Sequence, residues 1–374
     1  MMEAGEPRIV RGAVTAYRLF DVAYAIDLPT AERLWAERMR AASTRARLST
    51  TPAKAVAFGV APVELVLEPV SLRLGDATIQ ADAICRLYDF GVLTLALRVP
   101  ARDLSWSEFV LLMNAVDQAV GTESGSTLWA DLLEPVRTVF AGALVRPATS
   151  MIEEDYLIGA VDAFDAALSA EALQQRADLV PLLSGEQRPL AAAARQDLLR
   201  ARFSYYTDDL VALAWDRAFI YEPRGDSDVE DVIEVANAQL LEMRYYDELL
   251  DAELPRMYDA IEQTQRALSL FASRRYARLA RRLTAQVAEV TELTERVDNA
   301  LQVTEDVYLA RVYAAALELF RVRTVGAAVD RKLAIIRESY TALYQEASAA
   351  RAALMEAVIV ALIALEILLA LVGS

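Results

Sequence analysis

The chain has 374 residues, 55% of them hydrophobic, and a formal net charge of -16, with a pI near 4.7. That is enough apolar material for about two domains, and the negative charge disfavours bulk binding to phosphate, so no DNA partner is expected. The sequence has no histidine, which excludes Ser-His-Asp and Cys-His nucleophile pairs, His-ligated zinc and two-His-one-carboxylate iron.

Cys85 is the sole cysteine. It forms no internal disulfide and, within Ala83-Ile84-Cys85, reads as a small core hydrophobe in a reducing compartment. Lys54 and Lys332 are the only lysines, and neither sits in a Gly-rich phosphate loop. The start of the chain lacks a basic region followed by an apolar run, so it does not read as a signal peptide.

In chain order, Ile9 to Phe20 and Ala23 to Leu28 read as strands, and a helix capped by Thr30 follows to about Arg40. Short apolar runs occupy 55 to 60 and 63 to 74. Ala77 to Val99 reads as a hairpin bending at Asp89-Phe90-Gly91. Helical patterns cover 105 to 120 and 126 to 145, and Tyr156 to Phe164 reads as a strand. Residues 203 to 222 read as a turn at Thr207-Asp208-Asp209 and then a strand. The fold class expected for 1–223 is an α+β head with mostly antiparallel strands.

Pro223-Arg224-Gly225-Asp226 breaks the pattern, and Ser227-Asp228-Val229-Glu230 reads as a capping box. Narrow stripes at alternating steps of three and four then predict an antiparallel, coiled-coil-like helical stalk over 227–350. One stripe holds Ile233, Ala236, Leu240 and Met243, another Leu283, Val287, Val290 and Leu301, a third Val329, Leu333, Ile336 and Leu343. Pro255 should kink the first helix, and Thr324-Val325-Gly326 should turn the second into the third. Homo-oligomerisation through this stalk is expected; an ordinary globular bundle fits the same periodicity.

Residues 352–372 form an apolar run of roughly 31 Å as a helix, about one hydrocarbon thickness. They predict a C-terminal transmembrane helix, with the body on the cytoplasmic side because Lys332, Arg337 and Arg351 precede it. Glu356 and Glu366 interrupt the run and are assigned to membrane or oligomer contacts. A greasy helix buried in an oligomer is the alternative.

Several segments carry a family resemblance. They are Leu87-Tyr88-Asp89-Phe90-Gly91-Val92, Ser204-Tyr205-Tyr206-Thr207-Asp208, Asn237 through Asp247, Asp306 through Tyr313, and Leu354-Met355-Glu356 through Glu366-Ile367. Over roughly residues 80 to 370 the chain resembles the required-for-meiotic-nuclear-division family. The resemblance implies a membrane-anchored, non-enzymatic protein of uncharacterised role. With no transit peptide in view, it implies a bacterial member in the inner (cytoplasmic) membrane.

The expectation is therefore a membrane-anchored scaffold or interaction protein without catalytic residue, cofactor or metal. Asn237, Glu242, Arg244 and Asp247 are the candidate partner-binding residues, being polar positions on a packing helix; intramolecular hydrogen bonds and an ion pair are the plainer reading. An alternative is an RNA- or ribosome-associated tether using Arg274, Arg278, Arg281 and Arg282, which share a helix face in a stretch without acids. A third is a carboxylate enzyme binding Mg²⁺ or Ca²⁺ through Asp208, Asp209, Asp226, Asp228, Glu230, Asp231 and Glu234. Acids at a helix start more simply complement its dipole.

Overall fold

The structure is a computed structural model. It describes residues 5–39, 44–45, 56–121, 125–148, 151–225, 228–265, 278, 281, 284–285, 287–288, 290–292, 301–303 and 307–372. The elements run β1 (Arg8–Asp21), β2 (Ala23–Ile26), α1 (Leu28–Met39), β3 (Thr44–Arg45), β4 (Val56–Phe58), β5 (Val63–Val66), β6 (Val70–Leu74), β7 (Ala77–Leu87), β8 (Val92–Ala101), β9 (Leu104–Ser105), α2 (Trp106–Val120) and α3 (Leu128–Phe140). There follow β10 (Leu144–Pro147), β11 (Glu153–Phe164), α4 (Ala170–Arg176), α5 (Val180–Ser184), α6 (Ala192–Leu198), β12 (Arg202–Phe203), β13 (Leu210–Leu213), β14 (Arg217–Tyr221), α7 (Val229–Gln265), β15 (Leu301–Val303), α8 (Val307–Leu319) and α9 (Val322–Val372). The chain divides into two compact units, one of residues 1–242 with 296–323 and one of 243–295 with 324–374.

The first unit is built on one mixed sheet, ordered β12-β13-β14-β11-β1-β8-β7-β5-β3, with β6 paired to β7 and β9 to β1. Its pairs are antiparallel except β11 with β14. Side chains alternate across such a sheet. One face carries Val14, Ala16, Phe20, Leu95, Leu97 and Val99, which join Phe109 and Met113 of α2 and Trp129 and Phe140 of α3 in the main core. A Cβ on Gly159 would lie 3.0 Å from the Met113 sulfur and 3.2 Å from the Phe109 ring, so that strand position has to be small for α2 to seat. Ser105 caps α2 in a capping box with Glu108. The other face carries Thr15, Tyr17, Thr94, Arg98 and Arg86 and receives the first turns of α7.

The β7–β8 bend is fixed by backbone geometry. Tyr88 N–H donates to Val92 O at 2.9 Å and Gly91 N–H to Tyr88 O at 3.2 Å. Gly91 has φ +104, and a Cβ there would fall 1.8 Å from Ala23 O. Only glycine meets both demands.

The structure departs from expectation at several elements. Asp27, not Thr30, caps α1: its carboxylate accepts the Thr30 N–H at 3.2 Å and hydroxyl at 2.8 Å. Three short helices, α4 to α6, fill the crossover between the parallel strands β11 and β14, where the sequence has only weak periodicity. Leu301 lies in a strand paired with Val56–Phe58 and not in a helical stripe. Pro255 lies inside an uninterrupted α7. Gly326 lies inside α9; the turn comes earlier, at Phe320 and Arg321, where Arg321 adopts φ +56. Ser227 of the expected capping box lies outside the described residues.

The larger correction concerns the C-terminus. Among the described residues no helix is long and apolar enough to cross a membrane. This overturns the expected transmembrane helix at 352–372, the tail anchor, the membrane partner and the placement in a bacterial inner membrane. Glu356 and Glu366 break the apolar run, each at a cost of about 3 kcal/mol for a charge deep in lipid. Residues 355–369 are instead the exposed end of α9.

Candidate functional site

A polar interior region of the first unit lies between the sheet and the start of α7. Arg86 of β7 donates to Glu64 of β5 at 2.9 Å, to Asp231 at 2.5 Å and to Glu234 at 2.7 Å. Tyr88 OH donates to the other Glu234 oxygen at 2.9 Å, and Tyr17 OH donates to Glu230 at 3.1 Å. Arg98 stands 3.6 Å from the same Glu230 carboxylate. The three acids come from the first two turns of α7, where carboxylates also complement the helix dipole.

Burial pushes the Glu234 carboxyl above its usual range, and the Arg86 guanidinium pulls it back. Burial likewise raises Glu230, offset by Arg98 and the Tyr17 hydroxyl. Arg86 pays a burial penalty that Glu234 and Asp231 outweigh, so it holds its proton more tightly than a free guanidinium. The pair is ionised: an arginine does not surrender its proton to a carboxylate that accepts two strong hydrogen bonds. A cleft of about 270 Å³ opens beside this network, lined by Arg98, Asp162, Glu222, Glu230 and Asp231 among others.

These contacts assign a role to the acidic run flagged in the sequence. Glu230, Asp231 and Glu234 fasten α7 to the sheet. Asp209 is 3% exposed and accepts the backbone N–H groups of Tyr205 and Tyr206 at 2.7 and 3.0 Å, holding the turn before β13. Asp226 lies outside the described residues. Among the described residues no group of three His, Cys, Asp or Glu side chains is placed to hold a metal ion. Cys85 is fully buried, and burial raises its thiol far above the ordinary range, so it is held as the thiol.

The four candidate partner-binding residues fall two in each unit. Asn237 is 2% exposed and donates from Nδ2 to the Asp155 carbonyl at 3.3 Å. Glu242 is buried in the same unit. Arg244 and Asp247 belong to the second unit. There Arg244 is exposed, and Asp247 accepts from Lys332 Nζ at 2.6 Å, a nitrogen that also lies 2.7 Å from Asp251. Arg278 and Arg281 are exposed helical residues, while Arg274 and Arg282 lie outside the described residues. Glu356 and Glu366 are both exposed on α9.

Sequence reasoning missed a second charged centre on the apolar face of the sheet. Arg18 is 2% exposed. It donates to Val120 O at 3.1 Å and to Glu153 at 3.3 Å, and its guanidinium lies 5.6 Å from the Trp129 ring centroid. Arg217 donates to Asn114 at 2.6 Å, Leu182 O at 3.2 Å and Asp117 at 2.5 Å. The available signal was an arginine at an inward position of an otherwise apolar alternating strand.

An α-β-α layered unit with a buried ionic layer under its long helix is a fold description, and comparison with known proteins supplies the family. A family model described as "Uncharacterized protein MJ0711, N-terminal domain" matches residues 11–228. The chain belongs to that family. It is 29% identical over 199 residues to "Uncharacterized protein MJ0711" of the archaeon Methanocaldococcus jannaschii, a match spanning 53% of this chain and 60% of that relative. No solved structure matches. This corrects the expected membership of the meiotic nuclear division family and the bacterial origin drawn from it. Three of the segments that carried that resemblance are placed as follows. Leu87 to Val92 is the β7–β8 bend, Ser204 to Asp208 is the turn held by Asp209, and Asn237 to Asp247 lies in the first half of α7.

Proposed function

We propose that the protein is a non-enzymatic interaction protein that assembles with further copies of itself through the C-terminal end of α9. The observation that carries this reading is the exposure of that helix. Residues 355–369 are exposed throughout, and Met355, Val358, Ile359, Leu362, Ile363 and Leu369 are each more than half exposed. A helix end whose exposed surface is apolar apart from Glu356 and Glu366 is stable in water only when neighbours cover it. A contiguous run of exposed large apolar side chains of this kind marks an interaction surface.

A second copy is the occupant favoured by pattern. Within the second unit α9 buries Val329, Leu333, Ile336 and Leu343, at steps of three, four and seven. The same register continues through Ala350, Ala357, Ala361, Ala364 and Leu368, the last four exposed. Small residues on that line let two identical helices approach closely. Glu356 and Glu366 are ten residues apart, roughly 80° around the helix, on the half facing away from the line.

The test is sedimentation equilibrium of the full chain and of a version ending at Ala350. The full chain should sediment at a multiple of 41.2 kDa and the shortened chain as a single copy. Equal masses for the two, or a monomeric full chain at tens of micromolar (about −6 kcal/mol), would overturn the proposal. The double variant Leu362→Glu, Leu369→Glu should lower the mass as truncation does.

A further inference from the structure

A pocket of about 390 Å³ in the first unit lies among α4, α6 and β12. Its lining includes three arginines, Arg176, Arg195 and Arg202, against one acid, Asp178, with the amides of Gln174 and Gln175. The chain as a whole carries -16, so a concave site with a local excess of two positive charges runs against the general field. The geometry points to a binding site for a small phosphate monoester.

Each guanidinium is tethered along one edge. Arg195 forms hydrogen bonds of 3.1 to 3.3 Å with both oxygens of Asp178, and Asp178 is fixed in turn by the Val180 N–H at 3.1 Å. Arg202 Nη1 donates to Gln174 Oε1 at 2.6 Å, and Gln174 Nε2 donates to the Ala170 carbonyl at 3.1 Å. Arg176 donates from Nε and Nη2 to Gly5 O at 3.2 and 2.7 Å. An arginine has five N–H donors. Among the described residues these contacts leave Nη1 of Arg176, Nε of Arg195, and Nε and Nη2 of Arg202 without a protein acceptor. These contacts restrain the three side chains, which lowers the ordering entropy a ligand would have to supply.

Planar forks with spare donors match the oxygens of a phosphate dianion. The volume lies within the range of small-ligand clefts and greatly exceeds a bare phosphate. Leu199 supplies apolar wall, and the two glutamine amides can meet hydroxyl groups of an ester's organic part. The site shares no residue with α9 and stands or falls separately from the assembly reading.

The test is titration calorimetry of the full chain at low ionic strength with glycerol phosphate, inorganic phosphate, succinate and a single-stranded oligonucleotide. Glycerol phosphate should bind saturably and more tightly than inorganic phosphate or succinate. Arg202→Gln, at an exposed position, should weaken it roughly tenfold or more, as expected for losing charge-assisted hydrogen bonds. Arg202→Lys, which keeps the charge but not the fork, should recover only part of that loss. Unchanged circular dichroism and melting would show both variants folded. Absence of saturable heat at millimolar ligand overturns the proposal. So does equal affinity for inorganic phosphate, which would leave a bare phosphate site, or for succinate, which would leave a general anion site. Binding of the oligonucleotide alone also overturns it.

Discussion

Asp21 ends β1 with only 2% of its surface exposed, and its Oδ2 has no hydrogen-bond partner among the described residues. Burial raises its carboxyl from 3.8 to about 7, against a smaller opposing contribution from the Ala23 N–H. The folded pKa lies above the unfolded one, so the group's contribution to stability is complete below about pH 4 and is lost as pH rises through 7. A shift of about three units corresponds to about 4 kcal/mol in all, of which roughly 2–3 kcal/mol falls between pH 5 and pH 8. Asp21→Asn keeps the shape and removes the titration. Its buried amide brings a fixed desolvation cost of about 1–3 kcal/mol that does not depend on pH. The readout is therefore the change between pH values. Urea denaturation at pH 5, 6.5 and 8 should show the parent losing roughly 2–3 kcal/mol more than the variant over that range. Identical pH slopes would refute the reasoning, because they would mean that Asp21 is ionised in the folded protein at all three pH values.

Three further substitutions probe the fold. Arg86→Met leaves the buried Glu234 and the half-buried Asp231 without their cation and should cost about 3–5 kcal/mol in urea denaturation; a loss below about 1 kcal/mol would mean that the acids simply take up protons. Gly91→Ala places a Cβ against Ala23 O at a backbone angle unsuited to alanine. It should lower stability by about 3 kcal/mol or more, seen as a lower melting temperature and weaker amide protection along β7 and β8. Phe109→Ala empties a fully buried position between α2 and the sheet and should cost about 3–5 kcal/mol; a small effect would show that Met113 and Trp106 collapse into the space.

Much of the first unit is legible in the sequence because its signals are local. The apolar runs of β1, β8 and β11 are buried strands whose period of two, or whose length and β-branched content, needs no partner to be recognised. Asp89-Phe90-Gly91 announces a bend because glycine alone tolerates the backbone required there. The acids before Val232 announce a helix start through the dipole they complement. The short helices α4 to α6 escape the same reading, since segments of five to seven residues carry under two turns of periodicity.

Composition alone determined that histidine chemistry and internal disulfides are impossible, that the chain carries enough apolar residues for extended cores, and that its field repels phosphate at long range. Pattern located β1, β8, β11 and the start of α7. Tertiary structure decided the rest. It set the acids of α7 against Arg86 and Arg98, which come from strands more than 130 residues earlier in the chain. It separated Asn237 from Asp247, ten residues away on one helix, into different units. It gathered Arg176, Arg195 and Arg202 around one pocket although the whole chain is acidic. The division follows from range. Local steric and hydrophobic preferences act within a few residues and are written in the sequence directly. The pairing of charges depends on which side chains the sheet register and helix docking bring within hydrogen-bonding distance, and that exists only once the chain has folded.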